Sequence, residues 1–345
     1  MIPFDRLRRR MTLRDERPRV AVIGAGYWGV NHVRNFHELG ALETVCDSSR
    51  ESLDRIASRY QGVRIERDFE KVLGDATIRG LVIATPAETH SRLASAALEA
   101  GKDVLVEKPL TLDVNEGRRL VALARKCDRI LMVGHLLEYH PAVIRLRTLI
   151  SSGALGELRY IYSSRLNLGK VRREENILWS FAPHDIAIIL RLIGAAPTRV
   201  AATGGTYLQP RIADVTMTNL EFKTGVRAHI FVSWLHPYKE QRLVVVGSRR
   251  MVVFDDVRKG GKLIVYDQGI EIVNGEAVTR KNDGIEEAIE NSEPLREECL
   301  HFLRCIEKRE QPLTDGESGL QVLRVLDAAE QSLSGGGMPV DLSVP

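Results

Sequence analysis

At 345 residues and roughly 150 residues per domain, the chain has room for two ordinary domains, which excludes a small disulfide-stapled fold. Hydrophobic residues at 44% and charged residues at 28% are the proportions of a globular protein, so a disordered or fibrous chain is excluded as well. The 49 basic groups against 46 acidic ones leave a net charge of +3, which gives no general electrostatic reason to expect nucleic acid or an anionic membrane as partner.

Residues 1–17 carry Arg6, Arg8, Arg9, Arg10, Arg14 and Arg17 but lack the apolar core of a secretory signal, and read as a disordered basic extension with Met11 as a second candidate start. From Arg19 to Gly134 short β-branched runs alternate with helix-length amphipathic segments. Val20 to Ile23, Leu42 to Cys46, Leu81 to Ala84, Val104 to Val106 and Ile130 to Val133 read as strands; Tyr27 to Leu39 reads as a helix stopping at Gly40, and Gly101 closes the helix that contains Leu93, Ala97 and Leu98. That rhythm predicts a doubly wound parallel sheet with crossover helices, expected over residues 18–138.

After about residue 150 the text becomes strand-dense: Leu158 to Leu166, Val215 to Phe222, Val226 to Trp234, Leu243 to Val246, Met251 to Phe254 and Leu263 to Tyr266. The Lys223-Thr224-Gly225 turn between two alternating runs reads as an antiparallel hairpin. Two late helical patterns, Leu295 to Ile306 and Gly319 to Leu333, close the chain. Residues 139–345 are therefore expected to form an α+β domain with a largely antiparallel open sheet, which binds substrate and, needing its free face covered, mediates assembly into a homodimer or homotetramer.

Cys46, Cys127, Cys299 and Cys305 include no Cys-x-x-Cys pair, so neither a zinc site nor a disulfide framework is indicated and a reducing cytoplasm fits. His135 and His140, like His32 and His37, are five apart, a spacing that does not put two ligands on one helical face; no metal is expected. No apolar run reaches the ~18 residues needed to span a bilayer.

Gly24-Ala25-Gly26-Tyr27-Trp28-Gly29 directly follows the first strand and opens the first helix. In that context the first glycine permits a tight turn, the second lets the backbone approach a pyrophosphate, and the third allows close packing of helix on strand. The helix N-terminus presents amides and a positive dipole to phosphates. Asp47, at the end of the second strand, is placed to accept hydrogen bonds from an adenosine ribose diol and would repel a 2′-phosphate, so NAD is expected over NADP. Arg50 is either a stacking or phosphate-neutralising cation or an exposed helix residue. The bland alternative is a glycine-rich turn with Asp47 capping the next helix.

Two further segments, Thr85-Pro86-Ala87-Glu88-Thr89-His90 and Glu107-Lys108-Pro109, lie at the carboxyl ends of strands, where open α/β sheets place their ligands. Together with the glycine loop they closely resemble the Gfo/Idh/MocA family of nicotinamide-dependent sugar and cyclitol dehydrogenases. The resemblance runs from residue 19 to the end and takes in Gly134, His140-Pro141, Gly153 to Gly156 and Pro312-Leu313-Thr314-Asp315-Gly316. It implies a Rossmann domain whose cofactor contacts come from Gly24, Gly26, Tyr27, Trp28, Gly29, Asp47, Thr85, Pro86, His90, Glu107 and Lys108. It also implies that Lys108 points at the reacting carbinol. The chemistry agrees, because alcohol oxidation sheds a proton as hydride departs, and an amine beside a cationic nicotinamide can have its pKa lowered to ~7–8. The plain alternative is a surface lysine fixed before Pro109.

Such enzymes usually carry a second catalytic group, a histidine in an Asp-x-Gly-x-His-x-x-Asp segment. Here Ser180-Phe181-Ala182-Pro183-His184-Asp185-Ile186-Ala187 corresponds, with Ser180 and Ala187 in the aspartate positions and Asp185 directly after the histidine. The resemblance assigns His184 proton relay or substrate orientation; a core histidine near a helix start is the alternative.

The departure resembles the subgroup acting on nucleotide-linked sugars, through Arg165, Asn167, Gly169, Lys170, Arg172, Arg173, Asn176 and Trp179. Cations and amides at a strand end suit a diphosphate, although a solvated basic loop has the same composition. Lys108, Arg165, Asn167, Arg172, Trp179, His184 and Asp185 are the expected substrate contacts. The resulting expectation is NAD-dependent oxidation of a ring hydroxyl of a nucleotide sugar, C3 of UDP-N-acetylglucosamine first, feeding an aminotransferase in cell-surface sugar biosynthesis. Dehydrogenases of UDP-N-acetylglucosaminuronic acid or of free cyclitols and sugars, a deoxysugar ketoreductase and a non-catalytic NAD(H) sensor are the alternatives.

Overall fold

The computed structural model describes residues 17–169, 171–173 and 175–342. Apart from Arg17, the basic extension falls outside the described residues, and so does Lys170. In chain order the first elements are β1 (Arg19–Ile23), α1 (Gly29–Glu38), β2 (Leu42–Cys46), α2 (Arg50–Arg59), β3 (Arg64–Glu66), α3 (Phe69–Gly74), β4 (Ile78–Ile83), α4 (His90–Glu99), β5 (Asp103–Glu107), α5 (Val114–Lys126) and β6 (Leu131–Gly134). There follow α6 (Pro141–Ser151), β7 (Leu158–Leu166), α7 (Ile177–Ile193), β8 (Arg199–Gly205), β9 (Val215–Glu221), β10 (Arg227–Ser233), β11 (Glu240–Gly247), β12 (Met251–Asp255) and β13 (Leu263–Tyr266). The chain closes with β14 (Gly269–Val273), β15 (Glu276–Arg280), β16 (Ile285–Glu286), α8 (Pro294–Lys308), α9 (Gly316–Ser334) and β17 (Val340–Asp341).

The chain divides into two units, one holding residues up to His135 together with Leu295–Leu320, the other Leu136–Pro294 and the chain from Gln321 on. In the first unit six strands form one parallel sheet in the order β3-β2-β1-β4-β5-β6. Parallel sheets are covered on both faces, which is why Val20, Ala21, Val22, Leu81, Val82, Ile83, Val104 and Val106 read as unbroken apolar runs and are fully buried.

The expected boundary after residue 138 lies at His135, and residues 295–320, read with the second domain, belong to the first unit. The reason is packing. Gly80 in β4 lacks a side chain so that α8 can approach: a Cβ there would stand 2.7 Å from Ile306 and 3.2 Å from the Phe302 ring. Phe302, Cys305 and Ile306 are themselves completely buried. The segment after α8 continues beside the edge strand, where the Val133 amide donates to the Thr314 carbonyl at 2.8 Å and Arg309 pairs with the buried Asp103 at 2.7 Å.

The second unit is built on a nine-stranded sheet of order β16-β13-β12-β11-β7-β10-β9-β8-β17. Only the central pair β7 and β10 is parallel; the other neighbours are antiparallel. β9 alternates buried and open positions residue by residue, and β10 does so as far as Val232, as strands with one covered face do. The covered face meets α7, with Ile161, Ile186, Ile189, Ile230, Val232 and Val245 in one apolar cluster. Gly194 ends α7 in the left-handed region, φ 73°, where its missing Cβ removes the steric cost. The expected turn at Lys223-Thr224-Gly225 joins β9 to β10. β14 and β15 form a separate exposed ribbon. Among the described residues no helix is long and apolar enough to cross a membrane.

Candidate active site

The glycine loop links β1 to α1. Gly24 has φ 91°, its amide donates to the Cys46 carbonyl at 2.8 Å, and a Cβ on it would meet the Ala84 carbonyl at 2.8 Å. A side chain on Gly29 would collide with the Gly24 carbonyl. These two glycines are therefore demanded by the protein's own packing. Gly26 is not, because a Cβ there would meet nothing within 4 Å. Its glycine leaves open space beside the loop, which is what close approach of a pyrophosphate requires.

α1 begins without a side-chain cap and without an acidic residue in its first turn, so no carboxylate opposes an anion at its positive end. Asp47 ends β2 and accepts from the Ala25 amide at 2.6 Å and from Ser49 at 2.8 Å. That brings the carboxylate to the glycine loop. Arg50 pairs with Asp54 at 3.1 Å on the exposed face of α2. Tyr27 is 96% exposed and Trp28 partly so. The residues present fit a dinucleotide with an unphosphorylated ribose.

At the end of β5 the carboxylate of Glu107 is buried and turned into the protein. It accepts from the Trp28 indole N–H, lies 2.6 Å from His32 Nε2, and accepts from the Lys108 amide at 3.2 Å. Burial pushes the Glu107 carboxyl up, but His32, Trp28 and the nearby Lys108 charge outweigh it and hold it below the ordinary carboxylate value. Glu107, expected to touch cofactor, thus joins the glycine loop and α1 to the Lys108 backbone. The Lys108–Pro109 peptide is cis.

His90, also expected to touch cofactor, is buried with its ring nitrogens 2.8 Å from the Pro109 carbonyl and 3.0 Å from the Thr85 carbonyl. It staples the loops after β4 and β5 together. Thr85 and Thr89 share a hydroxyl contact of 2.6 Å, with Pro86 between them. Next along the sheet edge, His135 follows β6. Burial lowers its imidazole to about 4, with Lys108 adding to the shift and Glu107 opposing it.

In the second unit, period-two alternation puts Ser163 and Arg165 of β7 on one face, where both meet Asp185 of α7. Asp185 accepts from Ser163 Oγ at 2.5 Å and from Arg165 Nε and a terminal nitrogen at 2.7 and 3.1 Å. Arg165 and Asp185, two of the expected substrate contacts, thus form a largely buried ion pair that joins β7 to α7. His184, beside Asp185, is half-buried in the same helix, just after Pro183.

Asn176 caps α7 and donates to Glu330 at 2.8 Å, and the Trp179 indole donates to the same carboxylate oxygen at 3.1 Å. Trp179 is therefore an anchor of the helix start. Arg172 is exposed and pairs with Glu175 at 3.0 Å, and Gln209 holds its carbonyl at 2.8 Å. The Asn167 amide donates to the Ser233 carbonyl at 3.1 Å.

Two residues escaped the sequence reading except as failed metal pairs. His32 lies one helical turn after Trp28, a spacing that puts both on one face of α1. His135 occupies the position after β6 that Lys108 occupies after β5.

A parallel dinucleotide sheet with an uncapped helix at a glycine loop, and a lysine at the end of a neighbouring strand, defines a nicotinamide-dependent oxidoreductase. Comparison with known proteins agrees. Residues 18–135 match the model described as an oxidoreductase family with an NAD-binding Rossmann fold, and residues 143–253 match the GFO/IDH/MocA C-terminal domain. The chain belongs to the Gfo/Idh/MocA family, it binds NAD, and it is a dehydrogenase acting on CH–OH groups.

It is 28% identical to UDP-N-acetylglucosamine 3-dehydrogenase of Acidithiobacillus ferrooxidans over 314 residues, 88% of this chain and 94% of that one. It is 26% identical to the NAD-dependent scyllo-inositol 2-dehydrogenase of Bacillus subtilis over 344 residues, 94% of this chain and 96% of that one. The solved structure of the Acidithiobacillus enzyme superposes with a TM-score of 0.81 at 26% identity, covering 92% of this chain and 98% of the other.

The open space at Gly26 yields a prediction. Gly26→Val leaves the melting temperature of the ligand-free protein within about 2 °C, the scale of a surface change, yet weakens NADH binding at least about tenfold, as a side chain between loop and pyrophosphate must. Fluorescence titration beside a thermal scan checks both, and unchanged NADH affinity contradicts the placement.

Proposed function

We propose that this protein uses NAD to oxidise a ring hydroxyl of a nucleotide-linked sugar, with C3 of UDP-N-acetylglucosamine as the first candidate, and that Lys108 and His184 handle the hydroxyl proton. The observation that supports the nucleotide is the loop between β7 and α7, where Asn167, Arg172 and Arg173 follow the strand and the Arg172 side chain is 52% exposed. A guanidinium held only by a surface ion pair exchanges that partner for phosphate at little cost. Arg165 is given a positioning role in place of the expected phosphate contact. The similarity to an enzyme named for UDP-N-acetylglucosamine supports the same reading.

NAD supplies the hydride acceptor. The chain's own residues must orient the alcohol, remove its proton and keep water away. The amine of Lys108 takes the hydroxyl proton as the C–H bond breaks, a contribution worth ~10²–10⁴ in rate for a positioned acid or base. His184 hydrogen-bonds the reacting or adjacent hydroxyl and passes the proton on. Phosphate contacts far from the reacting carbon supply binding energy that fixes the sugar's orientation.

The similarity to inositol 2-dehydrogenases over nearly the whole chain supports a second reading, oxidation of a free cyclitol. One comparison separates the two. With a ketone trap present, UDP-N-acetylglucosamine reduces NAD while N-acetylglucosamine, myo-inositol and scyllo-inositol scarcely react. Efficient turnover of either inositol, with no UDP-sugar oxidation, establishes the cyclitol reading instead. On whichever substrate reacts, Lys108→Met lowers kcat by ~10²–10⁴ while NADH titrates as in the parent protein; retained turnover removes Lys108 from the mechanism.

A further inference from the structure

β5 and β6 run parallel with Glu107 opposite Gly134, so the residues that follow them, Lys108 and His135, leave the sheet side by side. His135 is only 2% exposed. Neither of its ring nitrogens has a hydrogen-bond partner among the described residues. The other two buried imidazoles of this unit are engaged, His32 with Glu107 and His90 with the Thr85 and Pro109 carbonyls. Leaving a buried polar group unpaired costs stability, and folded proteins keep such groups where a ligand uses them.

Strand order says which ligand. A sheet of this order is two mononucleotide halves, β1 to β3 and β4 to β6. Asp47, at the end of β2, marks the adenosine half. His135 follows the outermost strand of the other half, the nicotinamide side. The polar group carried by that ring is a carboxamide, with an N–H₂ donor and a carbonyl acceptor. A neutral imidazole offers one donor and one acceptor, so either edge of the amide finds a match.

We infer that His135 is a cofactor-binding residue whose neutral imidazole hydrogen-bonds the nicotinamide carboxamide. Charge supports the match. Burial keeps the ring uncharged at neutral pH, and an uncharged ring does not repel the cationic nicotinamide of NAD. The assignment concerns the cofactor alone and stands whichever alcohol is oxidised.

Titration of the full chain with NADH and with ADP-ribose, which lacks the nicotinamide, tests it. His135→Phe is expected to weaken NADH about 5- to 20-fold, the loss of one or two hydrogen bonds, and to leave ADP-ribose affinity within about twofold. The melting temperature of the ligand-free variant stays level or rises, because no protein hydrogen bond is lost and an apolar ring fills a buried site. His135→Asn, which keeps a donor and an acceptor, recovers part of the NADH affinity. NADH binding as tight as in the parent protein overturns the assignment. So does a His135→Phe variant that loses ADP-ribose equally, melts lower or fails to fold, since that outcome makes His135 a structural residue.

Discussion

Glu107 is a carboxylate buried at the end of β5, and the geometry around the glycine loop is tied to the need to satisfy it. A charged group taken out of water is costly unless paired and hydrogen-bonded. Here the Trp28 indole, His32 and the Lys108 amide meet that need. Those partners come from the glycine loop, from α1 and from the segment after β5, three pieces of chain that must be held in fixed relation if a phosphate, a nicotinamide and a lysine are to meet. The same carboxylate explains Gly134, where a Cβ would stand 3.0 Å from Glu107 Oε2. Behind it, His32 Nδ1 lies 3.8 Å from the buried Cys299 Sγ of α8, so the late helix backs the network from the far side.

The second unit repeats the device. Asp185 is buried and fixed by Ser163 and Arg165, and its sequence neighbour His184 is the residue proposed to handle a proton. Lys108 stands in the same relation to Glu107. In both units a buried anion is fixed by its neighbours, and the residue next to it in sequence is the one proposed for proton handling. A pair buried in this way is worth little net stability but much loss when one partner is removed, which makes it suited to positioning.

Much of this was legible in the sequence. The well-buried strands of both sheets were readable because burial on two faces gives unbroken apolar runs and burial on one gives alternation; Leu158–Leu166 and Leu263–Tyr266 match residue for residue. The glycine loop and Asp47 were readable because their spacing is dictated by a local turn. What could not be read depends on distant pairing. The return of 295–320 to the first unit rests on Gly80 meeting Phe302 and Ile306, side chains far away in sequence. The partners of Arg165 and Trp179 could not be read either, because a cation at a strand end or an indole at a helix start carries no sign of what it meets; here Asp185 and Glu330 pair with them. β3, β8 and β14 to β17 were missed because they are short, exposed or near an edge, with too little burial to leave a pattern.

The most direct measurement of whether Glu107 ties the glycine loop to the lysine strand is hydrogen exchange in Glu107→Gln. Glutamine turns one carboxylate oxygen into an N–H₂ donor, which cannot serve the Trp28 indole, His32 and the Lys108 amide together. Exchange is expected to quicken across Gly24 to His32 and at Lys108 while β1 and α4 remain protected, with NADH binding weakened in step. Unchanged exchange across that loop, with NADH bound as before, would contradict the central place given to this carboxylate.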